Sequence, residues 1–238
     1  MFNREWGVMA TLPYANRAFT TDNNPPGPFN TYHVSDLADM EIMGMYTGFS
    51  KDMSTGLIFG LKLPTGNYTA PGFDRDTQLG SGSTDLILGG FHRAMITGDN
   101  AWQYFSQIRT LIPLQTRSAF NSDLGTDGTY RPGIQVDGSI GVVYNNGYKW
   151  LGFDKVAPLL QLIGSHREPD SGTSAFPDDT GFDRLMISPG IEFTYVLDNP
   201  NNKAIRVYGD VEIPIYQRVN GNQLVAPALF KIIASYTF

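Results

Sequence analysis

Read back from the C-terminus, Phe238, Tyr236, Ala234, Ile232, Phe230, Ala228, Ala226 and Leu224 share one parity, and Thr237, Ser235, Ile233, Lys231 and Leu229 the other. Side chains alternate between faces along a strand. The last strand thus has one continuously apolar face that ends in aromatics. The same alternation recurs upstream. Ile205, Val207, Gly209, Val211, Ile213 and Ile215 oppose Arg206, Tyr208, Asp210, Glu212, Pro214, Tyr216 and Arg218. Leu185, Ile187, Ile191, Phe193 and Tyr195 oppose Arg184, Ser188, Glu192 and Thr194, and Ile134, Val136, Ile140, Val142 and Tyr144 oppose Gln135, Asp137 and Ser139.

This pattern predicts ten strands, at about 4–14, 34–49, 54–64, 84–96, 101–114, 133–145, 150–165, 183–197, 203–218 and 223–238. Most exceed the average soluble strand of about 5 to 6 residues and match the roughly 9 to 11 needed to cross a bilayer at a tilt. Short turns follow strands two, four, six and eight: Ser50–Met53, Thr97–Asn100, Asn145–Gly147 and Asp198–Asn202. Long polar loops are expected at 15–33, 65–83, 115–132 and 166–182. Short periplasmic turns and long extracellular loops are the habit of bacterial barrels. The expected fold is therefore all-β: one antiparallel up-and-down transmembrane β-barrel, closing at ten to twelve strands, with both termini periplasmic. A soluble barrel or sandwich would alternate as well.

Aromatic placement separates these readings. The three tryptophans, Trp6, Trp102 and Trp150, each begin a strand at the proposed periplasmic end. Tyr46, Tyr144, Tyr195 and Tyr236 end the descending strands, and Phe238 closes the chain. Together they form the girdle that amphipathic rings make at a lipid–water boundary. The terminal strand also has the form that the barrel-assembly machinery of Gram-negative bacteria reads. Outer-membrane lipid and lipopolysaccharide are the expected surroundings.

With the apolar face outward, Asp39, Glu41, Lys62, Asp85, Arg93, Arg109, Asp137, Arg184, Glu192, Arg206, Asp210, Glu212, Arg218 and Lys231 line the interior. An arginine or lysine facing lipid near the midplane costs about 2–4 kcal/mol, which enforces the parity. The two signs are nearly balanced, so strong ion selectivity is not expected. Glu212 lies roughly opposite Lys231 and is expected to pair with it. Met9, Met43, Met45, Phe91, Phe105, Leu111, Leu159 and Ile163 add apolar groups to the lining, which either fill a small barrel or pass amphipathic molecules.

Composition removes other classes. No run of about 20 apolar residues forms a membrane helix. A net charge of −6 with no basic tract argues against nucleic acid. Cysteine is absent, so there is no disulfide or thiolate site. No signal peptide precedes the first strand, and Phe2–Glu5 resembles the end of a turn, so upstream strands are expected to be missing. Gly80–Ser83 lacks the lysine and helix of a phosphate loop. Asp123, Gly125, Asp127 and Gly128 lack the closing glutamate of a calcium loop. His166 has Asp170 and Ser171 near in sequence, as a hydrolase would need, but such loop spacings arise by chance. No catalytic residue, metal or cofactor is expected.

Phe59-Gly60-Leu61-Lys62-Leu63-Pro64-Thr65-Gly66, followed by Gln78-Leu79-Gly80-Ser81-Gly82-Ser83-Thr84-Asp85-Leu86-Ile87-Leu88-Gly89, carries a resemblance, as does Trp6–Tyr14. The pattern resembles the outer-membrane transporter family named for the meta-pathway of phenol degradation. The resemblance implies a closed barrel of about a dozen strands, associated with uptake of aromatic or other hydrophobic compounds, and no catalytic motif. The expected function is passive passage of a small, hydrophobic or aromatic solute. The alternative is a structural barrel serving as sheath or anchor for a protein partner, such as a lipoprotein or an electron-transfer protein. A wide polar porin would need more strands.

Overall fold

The computed structural model describes residues 5–22, 29–70, 78–121, 126–198, 203–221, 223, 225 and 227–237. The strands in chain order are β1 (Trp6–Thr11), β2 (Tyr14–Asp22), β3 (Phe29–Leu37), β4 (Met40–Tyr46), β5 (Thr55–Leu63), β6 (Asp85–Met95), β7 (Trp102–Pro113), β8 (Arg117–Asn121), β9 (Thr126–Tyr130), β10 (Gln135–Tyr144), β11 (Tyr148–Trp150), β12 (Phe153–Arg167), β13 (Phe182–Asp198), β14 (Lys203–Val219) and β15 (Leu229–Thr237). A 3₁₀ turn spans Pro177–Asp179.

Ten of these strands form one antiparallel up-and-down path, β1-β4-β5-β6-β7-β10-β12-β13-β14-β15, to which β11 adds a short flap on β12. They coincide in order with the ten predicted strands. β1 and β15 are the two ends of the path, and among the described residues they do not pair with each other. β13 and β14 run for 17 residues each.

Two of the four expected long loops contain strands. β2 pairs antiparallel with β3, and β8 with β9. Each pair is a ribbon bonded only to itself, so the apolar face that marks the main strands is missing and composition reads as loop. Tyr14, Phe19, Tyr32 and Val34 are nonetheless good strand formers. The second predicted strand splits at Ala38 and Asp39 into β3 and β4. The tenth begins at Leu229 rather than 223. Trp150 does not open the seventh strand; it sits on β11, before a turn in which Leu151 (φ 50°) and Gly152 (φ 83°) are both left-handed. β12 then starts at Phe153.

The sheet is strongly curved. Glu41 faces Lys62, Lys62 faces Asp85, and Asp85 faces Pro113 in register. Arg109 lies four residues along β7 from Pro113. On a flat sheet, three interstrand steps and four residues would separate the Cα atoms of Glu41 and Arg109 by about 20 Å. Extended side chains cannot span that, yet Arg109 Nη2 donates to Glu41 Oε1. The face that carries them is therefore concave.

The convex face is apolar along the whole path. Val8, Ile42, Leu57, Leu88, Ile108, Ile140, Leu160, Leu185, Ile213 and Phe230 are all exposed. At its short-turn margin rings meet across strands: Trp6 opposes Tyr46 at 4.8 Å between centroids, and Trp102 opposes Tyr144 at 5.1 Å. Phe153 and Phe193 lie 5.1 Å apart on the same margin.

The Thr97–Asn100 turn is set by its acid. Asp99 accepts from the Ala101 N–H at 3.0 Å, and Asn100 takes a left-handed φ of 58°. Hydrogen bonds from the Thr97 side chain and the Ala101 amide hold the Asp99 carboxyl below its ordinary value of 3.8. A depressed carboxyl stabilises the fold fully above its unfolded value, and the contribution fades as pH falls through the folded value. A carbon-detected NMR titration should therefore give Asp99 a midpoint below 3.8; a midpoint at or above it would show that the turn is not organised by this side chain.

Candidate functional site

Burial inverts the usual arrangement. On the concave face Asp39, Asp85, Asp210, Glu212, Gln161 and Ser188 are buried, with Met43 and Ile87 among them. On the convex face Phe230 and Ile232 are each 80 % exposed and Ile140 is 56 % exposed. Buried polar groups need partners, and here most have them.

At the long-connection end, Lys62 on β5 pairs with Asp85 on β6 and approaches Asp39 at 3.7 Å. Asp39 accepts from the Gly66 amide at 3.0 Å, the Ser81 amide at 2.8 Å and the Ser81 hydroxyl at 2.6 Å. Ser83 donates to Asp85 at 2.7 Å. Thr65 receives the Met40 amide at 2.8 Å. The connection after β5 is thus folded down on the β3–β4 break. Gly66 and Gly80 permit it: a Cβ on Gly66 would come within 2.9 Å of Ala38 Cα, and one on Gly80 within 2.5 Å of the Gly66 carbonyl. The motif Lys62–Gly66 and Gly80–Asp85 is a structural clasp.

Further along the concave face, Arg109 bridges to Glu41. Asp137, opposite both Arg109 and Ser165 in register, accepts from Gln135 at 3.0 Å and from the Ser165 hydroxyl at 2.5 Å. A second hub lies on β12 to β15. Asp210 Oδ2 accepts from Tyr208 at 2.7 Å, Ser188 at 2.8 Å and Gln161 at 3.0 Å. Lys231 pairs with Glu212 and lies 3.6 Å from Asp210. The expected Glu212–Lys231 pair forms, but as a diagonal: Lys231 faces Asp210, and Glu212 faces Leu229.

The long connections are tied together over this face. Arg117 lies over the Tyr68 and Tyr130 rings at 5.0 and 4.7 Å and donates to the Ser81 carbonyl at 2.7 Å. Asp170 has a fully buried side chain, which accepts from Arg167 at 2.7 Å, the Gly133 amide at 2.8 Å and Tyr130 at 2.5 Å. Ser174 donates to the Ala119 carbonyl at 2.8 Å.

Two adjoining cavities open in the short-turn half. One, of about 390 Å³, is lined by residues of β1, β4, β6 and β7, including Met45, Phe91 and Gln107. The other, of about 530 Å³, extends from Arg93 on β6 to Arg206 on β14. Arg93 and Phe105 border both. Phe105 lies across Gly141, where a Cβ would meet the ring at 2.6 Å.

The predicted site residues divide accordingly. Asp39, Glu41, Lys62, Asp85, Arg109, Asp210, Glu212 and Lys231 are used in ion pairs. Asp137 is used in neutral hydrogen bonds. Arg93, Glu192 and Arg206 line the larger cavity. Arg184 lies over the Phe182 ring at 4.0 Å. Arg218 faces Asp183 in register, but the Asp183 carboxylate is bound 2.6 Å from His166 instead. His166 therefore meets Asp183 and not Asp170. Among the described residues no group of three or more His, Asp or Glu is placed to hold a metal; Asp123 and Gly125 lie outside them, as does Phe238. Trp6, Trp102, Trp150 and Tyr236 are exposed on the aromatic margin.

Sequence reasoning missed Gln161, Arg117 and Lys155; it placed Ser188 on the polar face without a role, and named Ser81 and Asp170 only in motifs it set aside. Gln161 and Ser188 share the parity of the charged set and were detectable by it. Arg117 and Asp170 lay in presumed loops, where parity gives no signal. No family model matches this chain, and no curated protein matches it.

Removing Asp39 leaves Lys62 with one anion and strands the Gly66 and Ser81 donors. Breaking a buried charge pair costs about 3–5 kcal/mol. Asp39→Ala should lower the unfolding free energy by that order in urea titrations followed by tryptophan fluorescence, whereas Arg218→Ala should change it by less than about 0.5 kcal/mol. Equal effects would show that the clasp carries no stability.

Proposed function

We propose that this chain is an integral β-barrel of a bacterial outer membrane that passes small, hydrophobic or aromatic solutes passively. The observation that carries this reading is the inverted sheet: ionic side chains buried on the concave face and large apolar ones exposed along all of the convex face. Water would penalise that surface, and hydrocarbon would favour it. The aromatic margin at the short-turn end supports a bilayer boundary there. Closure of the path into a barrel, through β1 and β15 or through further strands, would satisfy two otherwise open edges. The short turns and both termini then face the periplasm, and the clasped long connections face outward. Lipopolysaccharide would surround them, and the terminal strand would be read by the assembly machinery. The resemblance of the Lys62–Asp85 region to the phenol meta-pathway transporter family points to aromatic solutes.

A second reading has its own observation. The Glu41–Arg109 bridge and the Lys62 clasp obstruct the long-connection half of the concave face. A barrel so filled would suit a sheath or anchor for a protein partner.

One measurement tests the membrane placement that both readings share, and a second separates them. Ile140→Arg on the convex face should destabilise the protein by about 2–4 kcal/mol when folded into bilayers. A soluble sheet would tolerate that exposed change within about 0.5 kcal/mol, and such tolerance would defeat the membrane reading. In planar bilayers the wild type should show discrete openings, and Glu41→Ser combined with Arg109→Ser should enlarge them. A silent wild type and a silent double variant would leave only the anchor.

A further inference from the structure

The sequence implies a balanced interior, but the structure separates the charges. In the long-connection half Asp39, Glu41, Asp85, Asp210 and Glu212 are taken up by Lys62, Arg109 and Lys231. The larger cavity, in the other half, is lined by Arg93, Lys155 and Arg206 against the single carboxylate of Glu192. Among the described residues neither arginine has an ion pair, and neither does Glu192. Lys155 donates only to the Asn145 amide oxygen, at 3.3 Å. The chain as a whole carries −6, so this excess of cations is local and opposite in sign to the molecule.

The rest of the lining is apolar on one side. Phe105, Val143 and Leu159 border the same space. Tyr208 does not compete for a ligand anion, because its hydroxyl proton is committed to Asp210. The volume of about 530 Å³ exceeds what a few waters need and falls in the range of small-molecule sites, about 300–1,000 Å³. Arg93 and Arg206 sit on strands five steps apart, about 24 Å on a flat sheet. Only the curvature brings them to one cavity, so their convergence is a property of the fold and not of one hairpin.

We infer that this cavity binds a small organic monoanion, a carboxylate joined to an aromatic or other apolar body. The carboxylate is held between the guanidinium groups of Arg93 and Arg206, whose planar donors match two oxygens. The body lies on Phe105, Val143 and Leu159. Glu192 opposes the charge and keeps binding weak enough for release. This rests on the reading above in that the concave face must be closed off from lipid.

The test is equilibrium binding to the full chain folded in a nonionic detergent, with fluorine NMR of 4-fluorobenzoate and 4-fluorobenzyl alcohol. The acid should bind saturably and about tenfold more tightly than the alcohol, as hydrogen bonds to charged groups imply. Arg93→Gln and Arg206→Gln should each weaken the acid about fivefold or more and leave the alcohol unchanged. Glu192→Gln should tighten it, a gain that misfolding cannot mimic. Equal affinity for acid and alcohol, indifference to both arginine variants, or displacement of the acid by equimolar inorganic phosphate would each overturn the proposal. Binding without conductance in bilayers would keep this site and remove the channel. Conductance with no preference for the acid in the binding assay would remove the site and keep the channel.

Discussion

Glu41 and Arg109 touch only because the sheet between them bends. That one contact reveals the sense of curvature, and the sense of curvature decides which face is enclosed. Once the charged face is the concave one, its ionic side chains approach each other across several strands and satisfy one another. The apolar face is left on the outside of the arc. The distribution of residues and the shape of the sheet are thus one constraint. A sheet with the opposite curl would splay the carboxylates and cations of distant strands apart and crowd the isoleucines, parting Glu41 from Arg109.

The segment Lys62–Asp85 shows how local chemistry serves that shape. Its small residues allow two backbone segments to pass in contact, and its hydroxyls donate hydrogen bonds to Asp39 and Asp85. The lysine between the two acids neutralises a cluster that could not otherwise be buried. A motif with serines and glycines invites thoughts of phosphate, yet Lys62, the Gly66 and Ser81 amides and the Ser81 and Ser83 hydroxyls are spent on the protein's own carboxylates. Tight packing at Gly66 and Gly80 explains why such spacing is needed without any ligand.

Much of this was legible in the chain because a period of two survives wherever one face of a strand is greasy. Ile205 to Ile215 and Phe230 to Tyr236 declare both their strand and their side. The order of the ten main strands follows from that signal alone. The β2–β3 and β8–β9 ribbons escaped because neither of their faces is uniformly apolar. The division of charges into a paired half and a cationic half was also invisible. Parity says that Arg93 and Arg206 share a face, but not that strands five apart meet at one cavity. Contacts such as Arg117 to Tyr68 depend on loop geometry that no periodicity encodes.

Arg117 has a consequence beyond tying the long connections together. It touches Tyr68 and Ser81 of one connection and Tyr130 of its own ribbon, which is bound in turn to Asp170 of a third. Groups that share partners respond to change non-additively. Surface segments of most proteins drift independently over evolutionary time. Here a replacement in any one of the three is judged against the other two, so these segments should diverge as a covarying set.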